Sequence, residues 1–349
     1  MTKVLMKGAE VFGEAAIKAG CRYFFGYPIT PQNEIPEYMS AKLPHCGGVY
    51  VQGESEVASI NMVLGAAASG AQVMTSSSSP GISLMSEGMS YLAGSELPCV
   101  VVNVMRAGPG LGGILPAQGD YNQATKGGGH GDYHAMVFAP SSLQEVVELV
   151  QGSWDFAFKY RTPVIILADG FMGQMMEPVE INERECNRGD YKSWALGYFP
   201  DRQGKRTLLK SLYLAAEPLE THNKNLQAKY AAMQEDARWE NYHADDAELV
   251  ITAFGTVARI AKTAVDHLRA EGKKVGLIRP ITLFPFPLKA FENLPKAKKL
   301  FDVEMNYGQM LVDVKNATEN RWPISFYGRA GGFAPSVEEI ETECRKLLG

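Results

Sequence analysis

The chain has 349 residues, is 46% hydrophobic and 21% charged, and carries a formal net charge of -5. That length allows one large core or two of ordinary size, and the charge excludes an electrostatic nucleic-acid or anionic-membrane binder. No stretch reaches the roughly 18 uninterrupted apolar residues of a membrane span and the N-terminal segment lacks an apolar signal core, so a cytoplasmic protein with a small-molecule or protein partner is expected.

From Met1 to about Ile181 helical and buried-strand patterns alternate. Gly8 to Ala19 reads as an amphipathic helix, Arg22 to Phe25 as a strand and Ser55 to Ser69 as an Ala/Gly-rich helix. Gln72 to Thr75, Pro98 to Met105 and Pro163 to Ala168 read as strands, with Ser142 to Lys159 a helix before the last. Continuous apolar strands separated by helices imply a parallel sheet covered on both faces. Asn182 to Ala247 turns polar, with scattered aromatics and one helix near Leu219 to Asn241, and reads as an ordered arm without sheet character lying on a partner or on the first domain. A second α/β unit starts at Glu248: ELVITAF as strand, GTVARIAKTAVDHLRAEG as helix closed by a glycine, KVGLIRPITLFPFP as strand and turn, then strands in KKLFDVEMN and PISFYGRAGG and a last helix VEEIETECRKLL.

The five cysteines, Cys21, Cys46, Cys99, Cys186 and Cys344, stand far apart without a C-x-x-C, so local spacing builds neither a zinc site nor an iron–sulfur cluster. GPGLGG, Gly108 to Gly113, matches a dinucleotide fingerprint, but Pro109 inside it and Pro116 after it deny the helix such a site needs, so a close-packed loop is the better reading. His130 and His134 have i,i+4 spacing but follow three glycines that no helix tolerates, and read as loop residues.

Glu56, in the first turn of its helix, is either a carboxylate placed for the helix dipole or a partly dry carboxyl able to share a proton with a ligand nitrogen. TSSSSPG, with Ser78 and Ser79, ends a parallel strand, where it is either a plain turn or a source of hydroxyls and amides for a ligand. Arg106 is either a surface cation or a fork for a substrate carboxylate. In GYPITP, two prolines stiffen the backbone from Gly26 to Pro31.

Taken together, GYPITP, QGESEVASINMVLGAAASGA, TSSSSPG, VMRAGPG, QGD, HGD, GLIRPITLFPFP and EMNYGQM resemble, in order, the α subunit of 2-oxoacid:ferredoxin oxidoreductases, most closely the branched-chain (2-oxoisovalerate) kind, with the 2-oxoglutarate kind next. The resemblance implies an α/β fold with a thiamine-diphosphate pyrimidine-type domain over 1–181, a polar connecting arm over 182–247 and a transketolase C-terminal-like α/β domain over 248–349. It implies that Glu56 bonds N1′ of the aminopyrimidine, that Tyr27, Pro28, Ile29, Ser78 and Ser79 line the cofactor, and that Thr30 and Arg106 hold the substrate. No GDG motif for the diphosphate occurs, the nearest being ADG at Ala168 to Gly170. A β subunit is therefore expected to carry the diphosphate, Mg²⁺ and a [4Fe-4S] cluster. Small γ and δ subunits, coenzyme A and ferredoxin complete the expected system, and no metal is assigned to this chain. Two other readings stand beside this one: a structural subunit of such a complex that has lost the chemistry, and a free-standing NAD enzyme built on GPGLGG.

Overall fold

Cys99–Met105 and Pro163–Asp169 are buried at every position, as strands covered by helices on both faces must be. The computed structural model describes residues 3–349. Its first half runs β1 Val4–Lys7, α1 Gly8–Lys18, β2 Tyr23–Gly26, α2 Glu34–Lys42, β3 Val49–Gln52, α3 Glu56–Ala68, β4 Val73–Ser77, α4 Ser79–Gly94, β5 Cys99–Met105, α5 Tyr121–Thr125, β6 Met136–Phe138, α6 Leu143–Tyr160, β7 Pro163–Asp169, α7 Gly170–Gln174 and β8 Met176–Val179. The second half runs α8 Ala216–Ala232, β9 Trp239–Tyr242, β10 Leu249–Thr252, α9 Gly255–Ala270, β11 Val275–Pro280, β12 Thr282–Phe284, β13 Lys299–Glu304, α10 Leu311–Thr318, β14 Ile324–Gly328 and α11 Val337–Leu348.

The larger sheet has seven strands in the order β12-β6-β7-β5-β4-β2-β3, parallel except for β12. The two-residue period of a strand divides β5 between two cores: Val100, Val102 and Val104 face α1 and α6, whereas Val101 and Met105 face α3 and α4. Trp154 on α6 is fully buried in the first of these cores, a contact worth about 3–5 kcal/mol on truncation.

The smaller sheet, β14-β13-β10-β11-β9, covers one face with α9 and α11. Val250, Ile278 and Leu300 on its other face join the same core as Val101 and Ile165 of the large sheet. At the seam the buried Arg279 guanidinium bonds Glu145 on α6 at 2.5 and 3.0 Å and Glu240 on β9 at 2.7 Å.

Two expectations are corrected. The arm was expected to lack sheet character, but its end, Trp239–Tyr242, is β9, antiparallel to β11. A four-residue edge strand alternating exposed with half-buried positions reads as polar loop in sequence. The helix of the arm stops at Ala232, and its His222 and Lys229 bond Gly94 O and Glu96 of the first unit. Second, KVGLIRPITLFPFP holds two strands in place of a strand and a turn: Thr282–Phe284 leaves the small sheet and pairs antiparallel with Met136–Phe138 at the edge of the large one. His134 stacks on Phe284 with ring centroids 4.0 Å apart and meets Thr125 O at 3.1 Å, so it packs this joint.

Candidate active site

The strands β2, β4, β5 and β7 are parallel and end at one edge of the large sheet, where open α/β sheets bind ligands. The loop Gly26–Pro31 leaves β2, the serine run leaves β4 into α4, and Arg106 follows β5. Asp169 ends β7 and caps α7, accepting from Phe171 N at 2.9 Å and Met172 N at 3.3 Å. ADG is thus a helix cap.

Glu56 opens α3, whose N-cap Ser55 accepts from Ala58 N at 3.2 Å, and is only 5% exposed. Facing it, the Ser77–Gly81 stretch joins β4 to α4, and the proline in its first turn suits a helix start. A Cβ on Gly81 would stand 2.1 Å from Ser77 Oγ and 2.5 Å from Glu56 Oε1, so only glycine lets the start of α4 pack this closely on both groups. Ser77 Oγ and Ser78 Oγ are buried without a protein partner. Unpaired hydroxyls cost free energy, and two of them at one strand end beside a buried carboxylate mark a polar binding surface.

Arg106 is 7% exposed. Its Nη1 donates to Thr30 O at 3.0 Å and its Nη2 to Leu111 O at 3.0 Å, whereas Nε has no partner. The glycine-rich segment Gly108–Gly113 contains no helix and wraps the arginine, with Gly113 N donating to Ala107 O at 2.8 Å. Thr30 is exposed beside it, with Pro28 exposed and Tyr27 and Ile29 half-buried. Gln32 ties this loop to β4: it accepts from Ser76 Oγ at 2.5 Å and donates to Tyr27 O at 3.4 Å.

The structure therefore gathers Thr30, Arg106, Glu56 and the serine run along one edge. Ser79 differs from Ser78, because its hydroxyl donates to Asp120 at 2.6 Å and accepts from Arg106 N at 3.0 Å. Sequence reasoning missed Ser77, Gln32, Asn103 and Asp120; only QGD, quoted as a motif without a role, pointed to the last. Burial pushes the Asp120 carboxyl up, and its bonds from Ser79 and Asn103 pull it back. His130 is exposed, meeting Tyr91 edge-on, and among the described residues no three His, Cys, Asp or Glu gather as a metal site. Burial pushes the thiols of Cys21, Cys99, Cys186 and Cys344 up to about 12, which leaves them unreactive. No helix among the described residues is long and apolar enough to cross a membrane.

The same residues can be set against known proteins. Residues 14–245 match the pyruvate flavodoxin/ferredoxin oxidoreductase thiamine-diphosphate-binding family, and 247–340 match core domain II of pyruvate:ferredoxin oxidoreductase. The class is that of thiamine-dependent oxidoreductase subunits with an α/β fold. A ketoisovalerate oxidoreductase subunit VorB of Methanothermobacter marburgensis is 48% identical, covering 100% of this chain and 99% of its own. A 2-oxoglutarate synthase subunit KorA of Archaeoglobus fulgidus is 39% identical over 98% of this chain and 100% of its own. The solved 2-oxoglutarate:ferredoxin oxidoreductase of Magnetococcus marinus, with 2-oxoglutarate, coenzyme A and succinyl-CoA bound, superposes with a TM-score of 0.88 at 27% identity; it covers all of this chain, which spans 66% of that one. A split-gene transketolase superposes at 0.57 with 12% identity and speaks to the fold alone. The chain belongs to the 2-oxoacid:ferredoxin oxidoreductase family.

Proposed function

We propose that this chain is the α subunit of an enzyme that oxidatively decarboxylates a branched-chain 2-oxoacid to acyl-CoA, CO₂ and reduced ferredoxin. The observation that carries the site is the buried Glu56 carboxylate beside two unpartnered serine hydroxyls, with Arg106 and Thr30 along the same edge. The full-length likeness to VorB, at 48%, supports the branched-chain substrate.

The residues present fit thiamine diphosphate: Glu56 offers a buried carboxyl group at the strand edge, and Ser77 and Ser78 offer hydroxyls that lack partners. When bound, that cofactor supplies the nucleophilic carbon and the electron sink. Glu56 holds a proton at the pyrimidine nitrogen, where burial strengthens the bond. Tyr27, Pro28 and Ile29 shape the wall of the active face, and Ser78 and Ser79 lie at its rim. Arg106, preset by two carbonyls, binds the substrate carboxylate through its remaining N–H groups, and Thr30 orients the substrate beside it. Lacking a diphosphate motif, the chain acts only in a complex. A β subunit carries Mg²⁺, the diphosphate and a [4Fe-4S] cluster, γ and δ subunits carry further clusters, and ferredoxin takes the electrons in the cytoplasm. We further infer three units with bounds at 181/182 and 247/248, the last sharing β9 and β12 with its neighbours.

The test is dye reduction by the natively purified complex with coenzyme A, comparing 2-oxoisovalerate, 2-oxoglutarate and pyruvate. Preference for 2-oxoisovalerate supports the proposal. Preference for 2-oxoglutarate, which the KorA relatives favour as a second reading, keeps the reaction and changes the substrate. No reduction by a cofactor-loaded complex overturns the catalytic reading in favour of a structural subunit.

A further inference from the structure

The QGD segment has no part in the chemistry so far, yet it is among the most heavily bonded stretches in the molecule. Gln118 is fully buried. Its main chain and side chain exchange hydrogen bonds with Met305 at 3.1 Å, its carbonyl accepts from Asn306 at 2.9 Å, and its amide donates to Phe254 O at 2.9 Å. Gln309 accepts from Asn122 N at 2.8 Å and donates to Gly119 O at 2.7 Å, and Tyr121 donates to Asp313 at 2.6 Å. The segment is thereby clamped to the small-sheet unit. Between these clamps the Asp120 side chain turns the other way, into the end of β5.

There one carboxylate oxygen, Oδ2, accepts from Asn103 Nδ2 at 2.9 Å and from Ser79 Oγ at 2.6 Å, and Ser79 Oγ in turn accepts from Arg106 N at 3.0 Å. Asp120 thus holds the end of β5 directly, through the side chain of Asn103, and the main chain of the following Arg106 indirectly, through Ser79. We propose that Asp120 is a positioning residue for the substrate carboxylate, fixing Arg106 through Ser79 and fastening the fork to the second unit through the Gln118–Asn122 clamp. A fork aimed by its own backbone loses affinity when that backbone can shift, because only the aligned population binds. The inference rests on the reading of Arg106 as the carboxylate-binding residue.

The experiment uses the assembled complex with 2-oxoisovalerate as the probe, or with whichever 2-oxoacid it reduces dye on best, and compares KM for that acid with KM for coenzyme A. Asp120→Ala is expected to raise KM for the 2-oxoacid about 10-fold or more, the size of one lost charged hydrogen bond, while KM for coenzyme A stays put. Asp120→Asn keeps an acceptor oxygen at the same place and is expected to recover most of that loss. Ser79→Ala cuts the same link from its other end and serves if Asp120→Ala fails to assemble. In an Arg106→Ala background, Asp120→Ala should add less than about 3-fold, since coupled residues do not add. A silent Asp120→Ala beside a raised KM in Arg106→Ala overturns the inference alone, as do full additivity or an equal rise in KM for coenzyme A. A silent Arg106→Ala overturns the carboxylate reading itself and the inference with it.

Discussion

The two sheets each present the C-terminal ends of parallel strands, and the buried polar groups there are satisfied to different degrees, although Thr256 Oγ1 and Asp302 Oδ2 at the smaller sheet also stay unpaired. At the end of β13 the buried Glu304 is closed off by Met310 N and Leu311 N, at 3.0 and 3.1 Å, and by Asn306 Nδ2 at 2.7 Å. At the end of β4, Ser77 and Ser78 have no partners, and the nearby Arg106 keeps a free Nε. Folding satisfies buried polar groups wherever it can, so the unpartnered hydroxyls at the end of β4 are what the proposed function assigns to a ligand, whereas the fully bonded Glu304 belongs to the architecture.

The sharpest way to break this contrast is Glu56→Gln, which keeps size and burial but cannot share the proton. Turnover of the assembled complex should fall about 10³-fold, within the range of general acid–base catalysis. A fall under 10-fold, with the cofactor still bound, would assign the end of β4 to structure as well. The seam between the sheets is probed by Arg279→Met, which strands Glu145 and Glu240 against each other. Thermal unfolding should show a loss of about 2–3 kcal/mol, less than a fully buried pair because both glutamates are partly exposed. An unchanged midpoint would mean that the shared apolar core alone joins the units.

Gly81→Ala forces a methyl into the packed contact between α4, Ser77 and Glu56. The new methyl meets Ser77 and Glu56 at under 3 Å, so stability should fall by about 1–2 kcal/mol and thiamine affinity, followed by fluorescence quenching in the complex, should fall with it. Unaltered affinity would show that the placement of Ser77 and Glu56 does not shape the thiamine site. The smallest effect is expected at the end of β13. Asp302 lies next to Glu304 and donates no charge to solvent: burial, then the Glu304 charge, raise its carboxyl well above the ordinary range. A raised folded value means the protonated acid's contribution is complete below about pH 4, the unfolded value, and is lost as pH rises toward the folded one. Asp302→Asn cannot titrate and can still bond Thr252, which meets Asp302 at 2.5 Å. Its stability relative to the parent should therefore climb with pH in unfolding curves from pH 5 to 9. A constant difference across that range would mean the acid is already ionised.

Much of this was legible locally. Buried strands such as Cys99–Met105 announce themselves by clustered valines, and the helix of Glu56 by its Ala/Gly-rich composition. Glu56, Thr30 and Arg106 came from the motifs around them. Ser79 could not be told from Ser77 and Ser78 in a run of four serines, because only the approach of Asp120, 41 positions on, engages its hydroxyl and leaves those of Ser77 and Ser78 without partners. β12 was hidden for the same reason, its partner β6 lying far back in the chain.

The sequence by itself determined the layered α/β character, the main buried strands and longest amphipathic helices, the lack of a local metal motif and the family, since periodicity and motif are properties of neighbours in the chain. Tertiary structure decided which polar groups stay open, how the small sheet lends a strand to the large one and what holds Arg106 in place. Those depend on groups from distant segments meeting within hydrogen-bond reach, a distance that no spacing along the chain encodes.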